Sequence, residues 1–224
     1  SPALLAELRA LIQRGNYRVI DAHNVQSILW GHFAAALGRA PGRVATIHSD
    51  YGGEYPGVKG WMYEAVLWLN RLVVRETINV TEMLQDKSTR QGNGNHSTLI
   101  HNAIPVPNEP LAGKEFEHIA EFGFNPGDFV IASVARLKPV KGHTYLIDAL
   151  AQLSDLPHVK LLLLGDGPLR ETLEAQVKER GLTDRVVFAG FRNDVITLLR
   201  GADVMCMSSL SEALPYAVLE AGSL

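Results

Sequence analysis

The chain has 224 residues, of which 46% are hydrophobic and 20% charged, as in ordinary globular proteins with a large apolar core. Its net charge of -3 gives no reason to expect nucleic acid as a partner. The single cysteine excludes an intrachain disulfide framework and favours a cytoplasmic location, and the sequence shows neither an apolar run of membrane-spanning length nor a signal peptide.

The first half of the chain alternates helices with short apolar strands. Leucines and isoleucines recur at helical spacing from Leu4 to Ile12, and Gly15 ends this first helix. The elements predicted after it are strands at 17–22, 43–47, 77–80 and 97–100, helices at 25–37 and 60–75, and a polar helix that ends near residue 90.

A proline-rich segment at 106–127 is predicted to be a linker that carries one short helix. The second half then alternates again, with strands at 129–134, 159–164, 185–188 and 203–207 and helices at 142–153, 165–180, 195–200 and from Pro215 onward. Apolar strands separated by helices are typical of parallel sheets. We therefore predict an α/β fold of two Rossmann-like domains, at 1–105 and 128–224. Both are expected to be incomplete, since a doubly wound sheet commonly has about six strands.

The last stretch of the chain predicts an anion site. An apolar strand leads into a serine-rich turn and then Pro215, which suits the first turn of a helix because it has no N–H to leave unpaired there. The amides of Ala213, Leu214 and Tyr216 would then lie at a helix N-terminus, where N–H groups and the helix dipole favour an anion.

Two carboxylates flank this predicted anion site. Glu212 precedes the helix and Glu220 lies two turns into it. Carboxylates accept hydrogen bonds from sugar hydroxyls. Backbone amides that bind phosphate, flanked by carboxylates that bind hydroxyls, therefore indicate a nucleotide-sugar site. The alternative interpretation is a charge favoured by the helix dipole and a solvated helix residue.

Two cations are predicted at the edge of the second sheet where ligands bind. Arg136 follows strand 129–134 and Lys141 precedes the next helix, so both fall beyond the carboxyl end of a strand. A guanidinium fork and an ammonium charge can together neutralise a diphosphate. Two unrelated surface cations are the alternative.

Other motifs narrow the chemistry. The turn Gly165-Asp166-Gly167 is as typical of a tight turn as of a nucleotide contact, and it is not a full dinucleotide fingerprint, which argues against a dehydrogenase. The sequence has neither an Asp-x-Asp pair nor the clustered histidines and cysteines of a metal site. We therefore expect no metal and no cofactor.

Three histidines each follow a predicted strand. His23 and His101 are interpreted as structural, which is the commoner role of a lone histidine. His48 is followed by the polar loop 49–53, predicted to be flexible, and we expect it to reach a ligand held by the other domain.

A family resemblance rests on four features of the second half. They are Ala135-Arg136-Leu137 followed by Lys141-Gly142, the turn at 165–168, the segment Phe188-Ala189-Gly190-Phe191, and the spaced pair Glu212 and Glu220. In order and spacing they resemble the donor domain of the family-4 retaining glycosyltransferases of the GT-B fold. The first half is similar more loosely, through residues 21–24, 46–48 and 99–104.

The resemblance implies a role for each matching residue. Arg136 and Lys141 would hold the donor diphosphate, with the amides of Ala213 and Leu214 beside it. Glu212 would bind the transferred sugar, Glu220 the ribose, Phe191 the base, and His48 the sugar from the acceptor side. Transfer would keep the anomeric configuration, with the leaving phosphate taking the acceptor proton, since no carboxylate is placed as a nucleophile.

The sequence also departs from the family pattern. Ala213 and Ala135 stand where glycine is usual or common, which costs little unless φ is positive. Ala103 stands where Asn-Gly is usual, so no role is carried over there. The family's first strand, with its glycine-rich loop, has no counterpart in this sequence.

We therefore expect a retaining, metal-independent glycosyltransferase that uses a nucleotide-diphosphate sugar and a sugar, lipid-linked or small-molecule acceptor. The alternatives are a sugar-nucleotide epimerase on the same scaffold and a catalytically inactive nucleotide-binding module. The tryptophan-bearing segment 59–75 is either a peripheral membrane contact on the inner membrane face or a core-packed helix.

Overall fold

The computed structural model describes residues 2–55, 57–93, 96–105 and 114–224. By the contacts among residues, the chain divides into two compact units. The first reaches Asn102 and includes Glu212–Leu214, and the second comprises Ala103–Ser211 and Pro215–Leu224. Part of the predicted linker, 106–113, lies outside the described residues.

The first unit is built on a four-stranded parallel sheet with the strand order β1-β2-β3-β4. Its elements are α1 (Pro2–Gly15), β1 (Val19–His23), α2 (Val25–Gly38), β2 (Gly42–Ile47), α3 (Tyr51–Glu54), α4 (Val58–Asn70), β3 (Glu76–Asn79), α5 (Glu82–Arg90) and β4 (Ser97–Leu99). In the register of the first strand pair, His23 lies opposite Thr46.

Small side chains allow the helices of this unit to pack closely. Ala34 and Ala35 of α2 are fully buried against Ile12 of α1. The start of α2 is fixed by Asn24, whose Oδ1 accepts hydrogen bonds from the amides of Gln26 and Ser27, both at 3.1 Å. Capping of this kind stabilises a helix by about 1 kcal/mol.

The loop after β2 differs from its prediction. The predicted flexible, polar segment 49–53 leads into a helical turn, α3. Asp50 caps this turn by accepting a hydrogen bond from the amide of Gly53 at 3.3 Å, and Tyr51 is buried. Sequence periodicity cannot detect a helix of four residues, because one turn carries no repeat.

Helix α4 also differs from its prediction, because it ends at Asn70 and not near residue 75. Asn70 is buried, and its carbonyl accepts hydrogen bonds from the amides of Val73 and Val74 in a turn. Trp61 is 72% exposed and Trp68 is 64% exposed, so these two side chains are not packed in a core.

The second unit is built on a parallel sheet with the order β7-β6-β5-β8. Its elements are β5 (Phe129–Val134), α6 (His143–Ala151), β6 (Val159–Leu164), α7 (Arg170–Glu179), β7 (Val186–Gly190), α8 (Val195–Gly201), β8 (Val204–Met205) and α9 (Tyr216–Gly222). The prediction of an α/β fold with two parallel sheets is confirmed. Within the described ranges, each helix falls short of the length and apolar character needed to span a membrane.

Helices cover the second sheet on both faces. Strand β6 is buried along its length apart from Lys160, which is why it reads as a continuous apolar run. One face packs against α6 and α7, and the other against α8 and the single helical turns at Phe116–His118 and Ala120–Phe122. Residues 114–127, which the sequence analysis assigned to the linker, therefore contribute Ile119 and Phe124 to this core.

Candidate functional site

A cleft of about 710 Å³ lies at the carboxyl end of the second sheet. Its walls come from segments that follow β5, β6 and β7, as expected for a ligand site in a parallel sheet. The lining residues are Val134, Ala135, Arg136, Leu164, Gly165, Asp166, Gly167, Phe191, Arg192 and Val195. Two residues predicted to bind the donor, Arg136 and Phe191, are thus brought into one cleft.

A glycine turn supports the backbone on either side of Arg136. The amide of Ala135 donates to the carbonyl of Leu164 at 3.1 Å, and the amide of Leu137 donates to the carbonyl of Asp166 at 3.0 Å. Gly165 has a φ of +144°, and a Cβ there would lie well under 3.0 Å from the carbonyl oxygen of Ala135. Only glycine fits this close approach, so the turn serves as the backbone support of Arg136.

Lys141 lies at the end of the 3₁₀ turn Pro139–Lys141, beside the segment that follows β8. The hydroxyl of Ser208 donates to the carbonyl of Lys141 at 3.0 Å, and the amide of Leu210 donates to the carbonyl of Val140 at 2.8 Å. Gly142, with a φ of +66°, brings its Cα against the carbonyl of Ser208, where a Cβ would overlap. Because β5 and β8 are neighbours, the lysine loop and the serine-rich segment form one packed edge.

The remaining predicted donor residues lie outside the lining of this cleft, which within the described chain does not include Lys141, Glu212, Ala213, Leu214 or Glu220. Residues 212–214 group with the first unit, where the carbonyl of Leu214 accepts a hydrogen bond from Nδ2 of Asn102 at 2.7 Å. Glu212 and Glu220 are both half-buried. Pro215 is the N-cap residue, so α9 begins one residue later than predicted.

One charged residue of the cleft was given no role from the sequence. Arg192 donates to both carboxylate oxygens of Asp194, at 2.8 and 2.7 Å, and to Glu121 at 2.8 Å. The hydrogen bond from Arg192 lowers the pKa of Asp194. The position of Arg192 directly after Phe191 was a signal for it, but its two carboxylate partners are not visible in a linear sequence.

A second polar cluster lies at the carboxyl ends of β1 and β2 in the first unit. Nδ1 of His23 and Nε2 of His48 are 2.7 Å apart, and Nε2 of His23 lies 3.3 Å from Oδ2 of Asp21. The hydroxyl of Thr46 donates to Asp21 at 2.9 Å. Two parallel strands that end together bring these side chains into contact, which the interpretation of His23 as structural did not anticipate.

The electrostatics of this cluster favour a neutral His48. Burial lowers the pKa of His48, the positive charge that His23 can carry lowers it further, and the carboxylate of Asp21 acts in the opposite direction. The net direction is downward, so the imidazole of His48 is neutral at pH 7.

The loop that follows His48 is held by an ion triad. Nζ of Lys87 donates to Asp50 at 2.6 Å and to Glu64 at 2.7 Å. Burial raises the pKa of Asp50, but the hydrogen bond and charge of Lys87 and the amides of Gly53 and Gly52 together outweigh it, so the net pKa is lowered. The triad ties α5 and α4 to the start of α3. In the described ranges, three or more histidine, cysteine or acidic side chains do not converge on a metal position.

Comparisons with known proteins cover both halves of the chain. A family model described as Glycosyltransferase Family 4 matches residues 1–106, and one described as Glycosyl transferases group 1 matches residues 114–224.

Two of the relatives that the chain resembles are a galactosyltransferase and a glucosyltransferase. The chain is 25% identical, over 98% of its length, to the UDP-Gal:alpha-D-GlcNAc-diphosphoundecaprenol alpha-1,3-galactosyltransferase of Escherichia coli, and it covers 59% of that protein. It is 34% identical, over 55% of its length, to the 2-deoxystreptamine glucosyltransferase of Streptomyces kanamyceticus, and covers 33% of it.

A solved structure shares the fold. The crystal structure of Anabaena Alr3699/HepE in complex with UDP-glucose matches with a TM-score of 0.83 and 24% identity, over 98% of this chain and 60% of that one. The chain thus spans about 60% of the length of the Escherichia coli relative and of the Anabaena protein.

Proposed function

Since this chain belongs to the family-4 glycosyltransferases of the GT-B fold, we propose that its protein transfers a sugar from a nucleoside-diphosphate sugar to a hydroxyl acceptor, retaining the anomeric configuration and using no metal ion. The observation that carries the proposal is the cleft at the carboxyl end of the second sheet, which both Arg136 and Phe191 line.

The diphosphate of the donor is proposed to bind between two cations. Arg136 lies in the cleft, and Lys141 follows on the same loop, which is hydrogen-bonded to the segment leading toward Pro215. A hydrogen bond between charged groups contributes about 1.5–3 kcal/mol, so two cations suffice for a diphosphate in a partly desolvated cleft. The amides of Ala213 and Leu214 are proposed to complete the site.

The base of the donor is proposed to stack on Phe191. This side chain lines the cleft and is 77% exposed, so its ring face is accessible to a ligand. Stacking of a base on an aromatic ring is worth about 1–3 kcal/mol. The neighbour with UDP-glucose and the relative named for UDP-Gal make uridine the first base to test.

The sugars of the donor are proposed to be held by three side chains. Glu220 would bind the ribose, Glu212 the hydroxyls of the transferred sugar, and His48 the same sugar from the acceptor side. The neutral imidazole favoured at pH 7 suits a group that accepts or donates a single hydrogen bond.

Retention is proposed to occur without an enzyme-bound sugar. Asp166 is the only carboxylate in the described lining of the cleft, and its Oδ1 accepts a hydrogen bond from the amide of Gly167 at 2.7 Å. A double displacement needs a carboxylate placed to attack the anomeric carbon, whereas Glu212 is proposed to bind hydroxyls of the transferred sugar. We therefore assign the acceptor proton to the leaving phosphate oxygen, whose negative charge the two cations stabilise.

The test is release of nucleoside diphosphate by the full-length protein and by this chain, with UDP-glucose, GDP-mannose and ADP-glucose as donors. Transfer to a second molecule, with the anomeric configuration kept in the product and activity unchanged in EDTA, is expected. Inversion at one sugar carbon without transfer would favour the epimerase. Tight nucleotide binding without release would favour the inactive module, and absence of both binding and release would refute the nucleotide-sugar site.

A lipid-linked acceptor at a membrane surface is part of the proposal. An exposed apolar face runs along α4 and the turn after it, formed by Val58, Trp61, Met62, Trp68, Leu69 and Leu72. The pairs 61/68 and 62/69 are seven residues apart, which is two helical turns, so these positions share one side of the helix. Tryptophan favours the membrane interface, and the exposed Lys59 and Arg75 suit an anionic surface. The name of the Escherichia coli relative includes a diphosphoundecaprenol acceptor.

Sedimentation with phosphatidylglycerol vesicles tests this surface. The chain is expected to bind, the double variant W61S/W68S to lose binding, and L156S to keep it, since Leu156 is an exposed apolar residue of the second unit. Equal binding by all three proteins would refute a role for the α4 face.

A further inference from the structure

We propose that Asp21 and His23 are positioning residues that fix the ring orientation and the tautomer of His48, so that Nδ1 of His48 presents a lone pair to a hydroxyl of the transferred sugar. The inference deepens the proposed function, on which the role of His48 depends. It rests on the chain of contacts from Thr46 through Asp21 and His23 to His48.

The carboxylate of Asp21 determines which ring nitrogen of His23 carries the proton. Asp21 is anchored by the hydroxyl of Thr46, and its Oδ2 lies 3.3 Å from Nε2 of His23. A carboxylate oxygen accepts hydrogen bonds and does not donate them, so it favours a proton on Nε2 of His23. In the neutral ring this leaves Nδ1 of His23 without a proton.

The contact between His23 and His48 then determines which nitrogen of His48 carries its proton. Nδ1 of His23 and Nε2 of His48 are 2.7 Å apart, so one of them donates and the other accepts. With Nδ1 of His23 as the acceptor, Nε2 of His48 carries the proton and donates it. Nδ1 of His48 then holds the lone pair, and the described residues offer that atom no hydrogen-bond partner.

Two other histidines of this unit show what a purely structural arrangement looks like. Nε2 of His32 bonds the carbonyl of Val44 at 2.8 Å, and Nδ1 of His101 bonds the carbonyl of Val80 at 3.0 Å. Each of these rings is tied to backbone. The ring of His48 is tied through a titratable side chain, and this arrangement leaves its protonation open to change.

The charged groups on the elements near His48 lie on β1, on its own loop, and on α4 and α5. On β1, Asp21 raises the pKa of His48 and His23 lowers it. On its own loop Asp50 is paired with Lys87 of α5, and the same lysine is paired with Glu64 of α4. The triad carries a net negative charge but is not among the causes of the shift, so burial and the pair on β1 set the protonation of His48.

A proton added to the pair changes this arrangement. Protonation of the His48 imidazole uses the lone pair on Nδ1, so that nitrogen then carries a proton. The atom offered to the sugar then changes from an acceptor to a donor. Two imidazole rings whose nitrogens are this close cannot readily both be positive. The pair therefore takes up one proton, and that single step changes Nδ1 of His48 from an acceptor to a donor.

The test is nitrogen NMR of the histidine rings in the chain labelled with ¹⁵N-histidine, with the His48 signals assigned by their loss in H48Q. Above the protonation step, Nε2 of His48 is expected to show the shift of a protonated nitrogen and Nδ1 that of an unprotonated one. The opposite pattern would overturn the proposal. This measurement needs neither donor nor turnover.

Two variants separate positioning from packing. In H23N the asparagine Oδ1 replaces Nδ1 of His23 as the acceptor, so the tautomer of His48 is kept while its pKa rises, because the repelling ring is gone. In D21N the pKa of His48 falls, because the attracting carboxylate is gone, and the tautomer signals move toward an average. H23A is expected to lose the fixed tautomer.

H101N is the matched control, since His101 also follows a strand of the same sheet. It should leave the signals of His48 unchanged. Shifts of the same sign in H23N and D21N, or no shift in either, would overturn the inference. Failure of nucleoside diphosphate release together with the expected NMR pattern would refute the proposed function and leave the positioning pair intact.

Discussion

The substitution G165A tests the packing that supports Arg136. Alanine at this position must adopt a φ of +144°, which costs about 1–3 kcal/mol for a residue with a side chain. Its Cβ would also overlap the carbonyl of Ala135, and overpacking of this kind costs typically about 1–3 kcal/mol. Together these give a loss of about 2–6 kcal/mol, a large part of the roughly 5–15 kcal/mol that stabilises a domain.

Two glycines provide matched controls for that experiment. Gly181 has a φ of +67°, and a Cβ added there would have no neighbour within 4 Å. G181A therefore measures backbone strain alone, about 1–2 kcal/mol. Gly127 has neither a positive φ nor a close neighbour, so G127A should be nearly neutral.

Urea unfolding measures the three stabilities, and titration calorimetry with UDP measures binding. G165A is expected to be the least stable of the three and to lose UDP affinity, because the backbone of Arg136 shifts with that of Ala135. If G165A matched G181A in stability and bound UDP like the unsubstituted chain, the close approach would not support Arg136, and the reasoning would be refuted.

Three further predictions concern single side chains. F191A should weaken UDP binding by about 1–3 kcal/mol without changing the urea midpoint, since the ring is exposed; an unchanged affinity would remove Phe191 from the site. R136Q should weaken binding of UDP by about 1.5–3 kcal/mol and that of uridine much less, measured by calorimetry, and equal losses would contradict a diphosphate contact. His143 is buried with both ring nitrogens unpartnered among the described residues, and burial lowers its pKa. The unfolded chain therefore binds the proton first, so stability is full above pH 6.5 and falls as the pH drops below it. H143F should raise the free energy of unfolding by about 1–3 kcal/mol and flatten its pH dependence between 7 and 5, and a slope unchanged in urea titrations would contradict this.

The strands of the second sheet were predictable because burial on both faces leaves a continuous apolar run. The residues of β5 and β6 were predicted at 129–134 and 159–164, the ranges that the structure has. The short helix α3 and the early end of α4 were not predictable, because they depend on Asp50 capping a turn and on buried Asn70. Both are set by tertiary contacts.

The candidate site was predictable to the extent that parallel sheets place ligands at one edge. That rule pointed to Arg136, and the family resemblance added Phe191, which lines the same cleft. It could not show that His23 contacts His48, since 25 residues separate them and the contact depends on strand register. The partners of Arg192 were hidden for the same reason, because Glu121 is 71 residues away.

The hydrogen bonds from Ser208 and Leu210 to the carbonyls of Lys141 and Val140 bear on any redesign of donor preference. If residues 206–215 were replaced by the loop of a relative, the new loop would pack against residues 138–142 of this chain, which did not evolve with it. Residues 138–142 would therefore have to be replaced as well. The two stretches are thus a single exchangeable unit, and chimaeras that swap one without the other should misfold locally before they change which sugar is chosen.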